Sequence, residues 1–291
     1  MVKFYTYAKC VLCGEHAVVR GGKAVAFPLS HYSCSVQYED TNDDTIVANS
    51  TSYDGANCDE LLHRLIATAL EITNIPKITG TFVINNNIPI AAGLGSSAAI
   101  CANLARIFKH FGFCSDVIGL ATQLEDIFHQ NSSGLDPAVA VINKPIIFQN
   151  RKIVEVLHIP SWPCLMVSYS GKSSPTSECV RIVNDIFTHN IENAIELDGQ
   201  MNEASNLCEV GLKVSNFDAL NEGIKLGYDV FRRWGLCSPS LKSHVDALLD
   251  SGAVAAKPTG SGLGGFVISL WKEKPKLLHT NDNIYLTLGG P

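Results

Sequence analysis

Layered α/β or α+β architecture in two domains is the expectation for this chain. It rests on length, on composition and on where the two hydrophobic periodicities fall. Domains run about 100–200 residues, so 291 residues are long for one core and short for three. Apolar residues make up 46% and charged residues 17%, enough apolar side chain to bury a real core, which excludes a disordered chain. Strand-like and helix-like patterns occur in both halves, which argues against a helical bundle or a β-sandwich.

The elements follow in order. Residues 2–12 read as a strand, and 24–38 carry strand-like stretches. Residues 57–72 predict a helix, because Leu61, Leu62, Leu65, Ile66, Ala69 and Leu70 recur at helical spacing. The β-branched run at 79–85 predicts a strand. Residues 96–111 predict a helix with Lys109 and His110 in its last turn and Gly112 as its stop. Another is expected over 116–129, with Ser115 as N-cap. Residues 146–157 suggest a hairpin turning near Asn150. The segment at 159–163, with Pro160 and Pro163, breaks both periodicities and is the expected boundary between an N-terminal domain, 1–160, and a C-terminal domain, 161–291. Beyond it a strand is expected at 165–169, helices at 177–213, 217–234 and 240–250, and strands at 253–256 and 266–270.

Composition also restricts function. Net charge is −6 and the pI is near 5.8, whereas a nucleic-acid binder needs a basic face to displace counterions from phosphates. No apolar run approaches the ~20 residues that span a bilayer, and the first residues show no secretory signal pattern. The expected place is therefore the cytoplasm, without membrane or nucleic acid as partner. Ten cysteines then read as reduced thiols. Cys10 and Cys13 form a lone C-x-x-C on a predicted strand, where positions three apart face opposite ways, so they are not expected to chelate a metal. Asn49 and Asn131 head N-x-S/T triplets, which matter only in a secreted protein.

The most informative stretch is Pro-Ile-Ala-Ala-Gly-Leu-Gly-Ser-Ser-Ala-Ala at 89–99. Gly93 and Gly95 let the chain bend tightly and bring backbone against a ligand. Ser96 and Ser97 then open a helix, whose first N–H groups lack internal partners and carry partial positive charge. Such a loop is prepared for phosphate, or is an ordinary strand-to-helix turn capped by serine. It is neither a Walker A loop nor a dinucleotide fingerprint. A second glycine cluster, Thr-Gly-Ser-Gly-Leu-Gly-Gly, occupies 259–265.

With the stretch at 8–19, Ala-Lys-Cys-Val-Leu-Cys-Gly-Glu-His-Ala-Val-Val, these motifs resemble the GHMP kinases (galactokinase, homoserine, mevalonate and phosphomevalonate kinases), and the mevalonate kinase branch most closely. The Gly-Glu-His-Ala-Val-Val core is typical of that branch. The 89–99 loop resembles the family's P-x-x-x-G-L-G-S-S-A-A, and 255–265 a stretch of A-K-x-T-G-A-G-G-G-G type. A fourth match is the spacing of Glu125 and Asp136, the latter in a G-x-D context.

The resemblance implies an α+β GHMP kinase fold: an N-terminal α/β domain with a left-handed βαβ crossover, a ferredoxin-like C-terminal α+β domain, and the active site in the cleft between them. It implies ATP and Mg²⁺, and transfer of the γ-phosphate to the 5-hydroxyl of mevalonate. Asp136 and Lys9 would be catalytic, and Ser97 and Glu125 would hold the metal. Pro89, Ala92, Gly93, Leu94, Gly95, Ser96, Ser97 and Ala98 would bind ATP. Glu15, His16, Thr176, Gly260 and Ser261 would meet the acceptor. The chemistry agrees, since phosphoryl transfer needs positioning and charge neutralisation more than covalent catalysis, and Mg²⁺ takes only one or two protein ligands.

Departures bear on the acceptor. Residues 141–145 lack the paired glycines usual after G-x-D, and 174–177 lack the substrate-loop lysine. Leu263 replaces a small residue, and Pro258 an apolar one. Another acceptor within the family (phosphomevalonate, homoserine or a sugar) and a non-catalytic ATP-binding protein stay open, as does a monomeric or homodimeric state.

Overall fold

A computed structural model describes residues 1–41, 46–52, 59–90, 92–128, 132–173, 175–275 and 285–288. The chain forms two compact units that interleave in sequence. The first is built from Met1–Lys9, Pro28–Ile90 and Leu94–Asn143, the second from Cys10–Phe27, Ala91–Gly93 and Lys144–Pro291. The proline-bounded break at 159–163 lies inside the second unit.

In the first unit, β1 (Val2–Cys13) begins and β2 (Ala24–Glu39) ends. The later part of β2 pairs antiparallel with β4 (Gly80–Asn86), Cys34 opposite Asn86 and Glu39 opposite Thr81. β3 (Ile46–Ser52) lies parallel to β4. Parallel neighbours cannot be joined by a tight turn, and α1 (Asp59–Thr73) provides the crossover. It buries Leu62, Leu65, Ile66 and Ala69, the stripe expected from their spacing. Helices α2 (Ser96–His110), α3 (Val117–Glu125) and α4 (Leu135–Ile142) pack together. Ala98, Ala102 and Ala140 are buried where α2 meets α4; side chains this small let two helices approach closely.

In the second unit, β5 (Ile146–Gln149) and β6 (Lys152–Val156) form a hairpin, and β5 also pairs with Ala24–Ala26 of β2. Asn150 and Arg151 both have positive φ, 50° and 58°, as a two-residue hairpin turn that matches strand twist requires. The other sheet is antiparallel, in the order β10 (Tyr285–Leu288), β7 (Cys164–Tyr169), β9 (Phe266–Trp271), β8 (Ala255–Pro258). Counted along the chain this is 4-1-3-2, the order of a ferredoxin-like sheet. Every residue of β8 and β9 is buried, so alternation gives way to a continuous run. Four helices complete the unit: α5 (Thr176–His189), α6 (Ile191–Lys213), α7 (Phe217–Arg233) and α8 (Pro239–Asp250). Leu241, Val245 and Leu248 of α8 join Met166, Val267 and Trp271 in one cluster.

Several elements depart from expectation for local reasons. The helical pattern at 177–213 is two helices, because Asn190 (φ −152°) leaves the helical region and its side chain accepts from Asn193 N. Asp116, not Ser115, caps α3 by accepting from Gly119 N at 2.9 Å; the helix ends at Glu125, short of the expected 129, and His129 lies outside the described residues. The strand expected at 253–256 is Ala255–Pro258. Four elements were not anticipated: β3, α4, β10 and a 3-10 turn over Ala17–Arg20. Asn57, Asn131 and Ser174 are outside the described residues.

Asn190 ends α5 and caps α6, so Asn190→Ala is expected to destabilise the protein by about 1 kcal/mol. Urea unfolding should show a lower midpoint at unchanged m-value.

Candidate active site

The first unit brings four of the anticipated side chains together. Lys9 reaches this site from β1, and its side chain is only 6% exposed. Its ammonium lies 2.9 Å from Asp136 Oδ2. Asp136 stands in the first turn of α4, whose N-cap is the left-handed Gly134. A carboxylate is favoured there by the helix dipole, and Pro137 fits the first turn because its missing N–H would have no helical partner.

The loop preceding α2 is fixed against the same strand. Lys9 N donates to Leu94 O at 2.9 Å. Gly95 has φ +74°, and a Cβ there would meet Lys9 Cγ at 2.7 Å. Both facts demand glycine. Gly95 is also the N-cap of α2, with no side-chain capping bond, so the first-turn N–H groups are not claimed by a cap. Asn86 Nδ2 donates to Ser96 Oγ at 2.8 Å, and Ala98 is fully buried under the loop. Pro89 is half-buried at the entry.

Glu125, at the end of α3, is 2% exposed. It accepts from Ser97 Oγ at 3.4 Å and from Ser132 Oγ at 3.1 Å. Burial pushes its pKa up to about 8, and the negative charge of Asp136 adds to the rise; Ser132, Lys9 and Ser97 counteract it. A buried carboxylate with two hydroxyl neighbours is an oxygen-donor set that gains from a nearby cation. Ser132 was not anticipated, although it lies between the two acids.

The second unit holds the other anticipated residues. Glu15 is 5% exposed, and its Oε1 lies 2.6 Å from Lys257 Nζ. Lys257 is fully buried, donates also to Pro258 O at 2.6 Å, and sits 5.0 Å above the Phe231 ring. Burial works against its charge, but the charge and hydrogen bond of Glu15, with Cys13 and Cys10, together raise its pKa. Lys257 was missed as a site residue; the signal available was a lone lysine inside an apolar strand directly before the second glycine cluster.

His16 follows with φ 59° and packs edge-on against Trp234 and Phe231. Its Nε2 lies 2.8 Å from Ser261 O. A carbonyl only accepts, so Nε2 carries a proton. Burial lowers its pKa to about 4. Thr259 Oγ1 donates to Val11 O and accepts from Val11 N, while Gly260 (φ +93°) comes so close to Gly93 that a Cβ would meet Gly93 Cα at 3.3 Å. Ala92, Gly93, Thr176, Thr259, Ser261 and Gly265 line a small cavity. Thr176 opens α5 after Pro175, the N-cap. Leu263, a departure noted above, has φ 60°, a conformation that a small residue adopts more readily. Cys10 neighbours Thr259 and Cys13 neighbours Met201; among the described residues no group of three metal-ligating side chains occurs.

Comparison with known proteins gives a consistent picture. The model of the GHMP kinases N terminal domain matches residues 60–144, and that of the GHMP kinases C terminal domain residues 205–277. The mevalonate kinase of Archaeoglobus fulgidus is 29% identical over 281 residues, 92% of each chain. That of Thermococcus sibiricus is 28% identical and covers 92% of this chain and 88% of its own. In fold, the chain is similar to L. major mevalonate kinase crystallised with R-mevalonate, with a TM-score of 0.78 at 20% identity, covering 94% of this chain and 88% of the other.

Two outcomes are expected. Replacing Lys257 with Met leaves a buried carboxylate uncompensated and should cost about 3–5 kcal/mol; adding Glu15→Gln to that variant should recover part of the loss in urea unfolding. His16 contributes stability that is complete above its unfolded pKa of 6.5 and lost as pH falls toward about 4. His16→Asn should therefore flatten the fall of Tm across that window.

Proposed function

This chain belongs to the GHMP kinase family, and we propose that it transfers the γ-phosphate of ATP to the 5-hydroxyl of (R)-mevalonate, giving 5-phosphomevalonate for isoprenoid biosynthesis. The observation that carries the reading is the Lys9–Asp136 pair at 2.9 Å, nearly closed to solvent on the lysine side. An ATP-binding protein without catalysis has no use for an acid and an ammonium held in this way.

Asp136 takes the proton of the acceptor hydroxyl as transfer proceeds, because a primary alcohol gives it up only as its oxygen bonds to phosphorus. The alcohol oxygen forms the new bond to the γ-phosphorus, the bond to the bridging oxygen breaks, and ADP leaves with that electron pair. Lys9 stabilises the charge that develops on the acceptor oxygen, an effect strengthened where water is scarce. The loop from Pro89 to Ala98 holds the phosphates with backbone N–H groups at the start of α2. His16, Thr176, Gly260 and Ser261 form the acceptor side, and Glu15, enclosed in its ion pair with Lys257, holds the turn that carries His16.

Mg²⁺ fits the residues present. Glu125 is a buried carboxylate with the Ser97 hydroxyl beside it, all-oxygen donors of the kind this ion takes one or two at a time. Glu125 and Ser97 would hold it, and when bound it offsets phosphate charge. A cytoplasmic place agrees with nine cysteines that stand outside any disulfide among the described residues; among those residues no helix is long and apolar enough to cross a membrane.

A coupled ADP-release assay with mevalonate, phosphomevalonate, homoserine and galactose tests the acceptor. Turnover is expected with mevalonate; turnover confined to another alcohol reassigns the substrate. Asp136→Asn should lower kcat by about 10²–10⁴-fold with the KM for ATP nearly unchanged. An unchanged kcat removes Asp136 from the reaction.

A further inference from the structure

Arg106 lies on α2, three turns from the loop. Its guanidinium donates to five acceptors, none of them a carboxylate. Nη1 reaches Tyr5 O at 3.1 Å, Thr6 Oγ1 at 2.5 Å and Asn103 Oδ1 at 3.1 Å. Nη2 reaches Ala140 O at 3.0 Å and Val141 O at 2.7 Å. Tyr5 and Thr6 belong to β1, and Ala140 and Val141 to the last turn of α4. One side chain therefore ties three elements of the first unit: the strand that carries Lys9, the helix that carries Asp136, and the helix that begins with Ser96 and Ser97.

The tie is buttressed. Thr6 and Asn103 are fully buried; Thr6 Oγ1 donates to Asn103 Oδ1 at 2.7 Å, and Asn103 Nδ2 donates to Cys34 O at 3.0 Å. A cation at the last carbonyls of a helix also opposes the negative end of its dipole. α4 has eight residues and contains both the Arg106 acceptors at one end and Asp136 at the other. A helix so short moves as a rigid lever, so its C-terminal anchor fixes where its first turn stands relative to β1.

We propose that Arg106 is a positioning residue for phosphoryl transfer: by clamping the C-terminal end of α4 to β1, it sets the separation of Asp136 from Lys9. Its five acceptors are all groups of the protein. Lysine cannot replace it, because one ammonium cannot serve β1 and two successive α4 carbonyls in a fixed fork. Misplacing a reacting group by about 1 Å costs up to about 10²-fold in rate. The inference rests on the reading that Lys9 and Asp136 carry the reaction.

The test is a double-mutant cycle of Arg106→Lys with Asp136→Asn, with kcat and both KM values from ADP release and Tm recorded for each protein. Expected is a loss of about tenfold or more in kcat for R106K, KM values within about twofold, and almost no further loss from R106K in the D136N background. An equal loss in both backgrounds, or an R106K enzyme with the kcat of the unaltered chain, overturns the inference. If R106K does not fold, Thr6→Val, which removes one acceptor at constant shape, is expected to lower kcat several-fold in the Asp136 background alone; the same loss in both backgrounds again overturns it. Should the unaltered protein phosphorylate a different alcohol, the cycle is run on that alcohol and the acceptor assignment alone fails. Should it phosphorylate none, the kinase reading and this inference fall together.

Discussion

A lysine side chain with only 6% of its surface exposed is expensive to hold charged in a folded protein, since desolvation costs several kcal/mol per ion. Lys9 is held there because Asp136 lies 2.9 Å away, and much of the first unit follows from keeping that pair intact. The strand bearing Lys9 must abut the loop before α2, which it does through the Lys9 N to Leu94 O bond. The loop must pass so close to the lysine stem that residue 95 has no room for a side chain. Helix α4 must begin at the carboxylate, and small alanines at its contact with α2 bring the two helices near enough. Glycine loop, cation and acid are thus parts of one steric and electrostatic arrangement.

The second unit repeats the device with a different result. Glu15 and Lys257 are both nearly inaccessible, at 2.6 Å, and the pair joins the turn after β1 to the strand that feeds the second glycine cluster. His16 joins the same turn to the glycine cluster itself through Ser261 O. In the first unit the lysine's partner, Asp136, keeps 31% of its side chain exposed, as the proton-accepting role proposed for it needs. In the second both partners are enclosed, which suits a fixed brace.

What could be read from residues alone was what is encoded locally. Gly93, Gly95, Ser96 and Ser97 announce a tight turn into a helix because glycine conformation and helix-end chemistry act over a few residues. The stripe of α1 was legible because its spacing is the helix period. The ion pair between Glu15 and Lys257 was not, since 242 residues separate its members and neither type is usually buried. The break at Asn190 was hidden because asparagine interrupts a helix only when its side chain claims the next N–H, a choice the apolar pattern does not record. Arg106 gave no signal at all, because its partners are mostly backbone carbonyls, which carry no side-chain signature. β3 was masked by a polar composition that the parallel pairing with β4 overrides.

The interleaving of the two units has a consequence for how the chain is made. The second half of β1, residues 10–13, is buried in the finished protein, yet Thr259, which bonds both polar groups of the Val11 backbone, lies 248 residues later. At about 5–20 residues per second on the ribosome, this apolar segment waits roughly 12–50 s for its cover. Throughout that interval the nascent chain carries an apolar strand segment without its final cover, the kind of exposed surface that makes such species prone to aggregate.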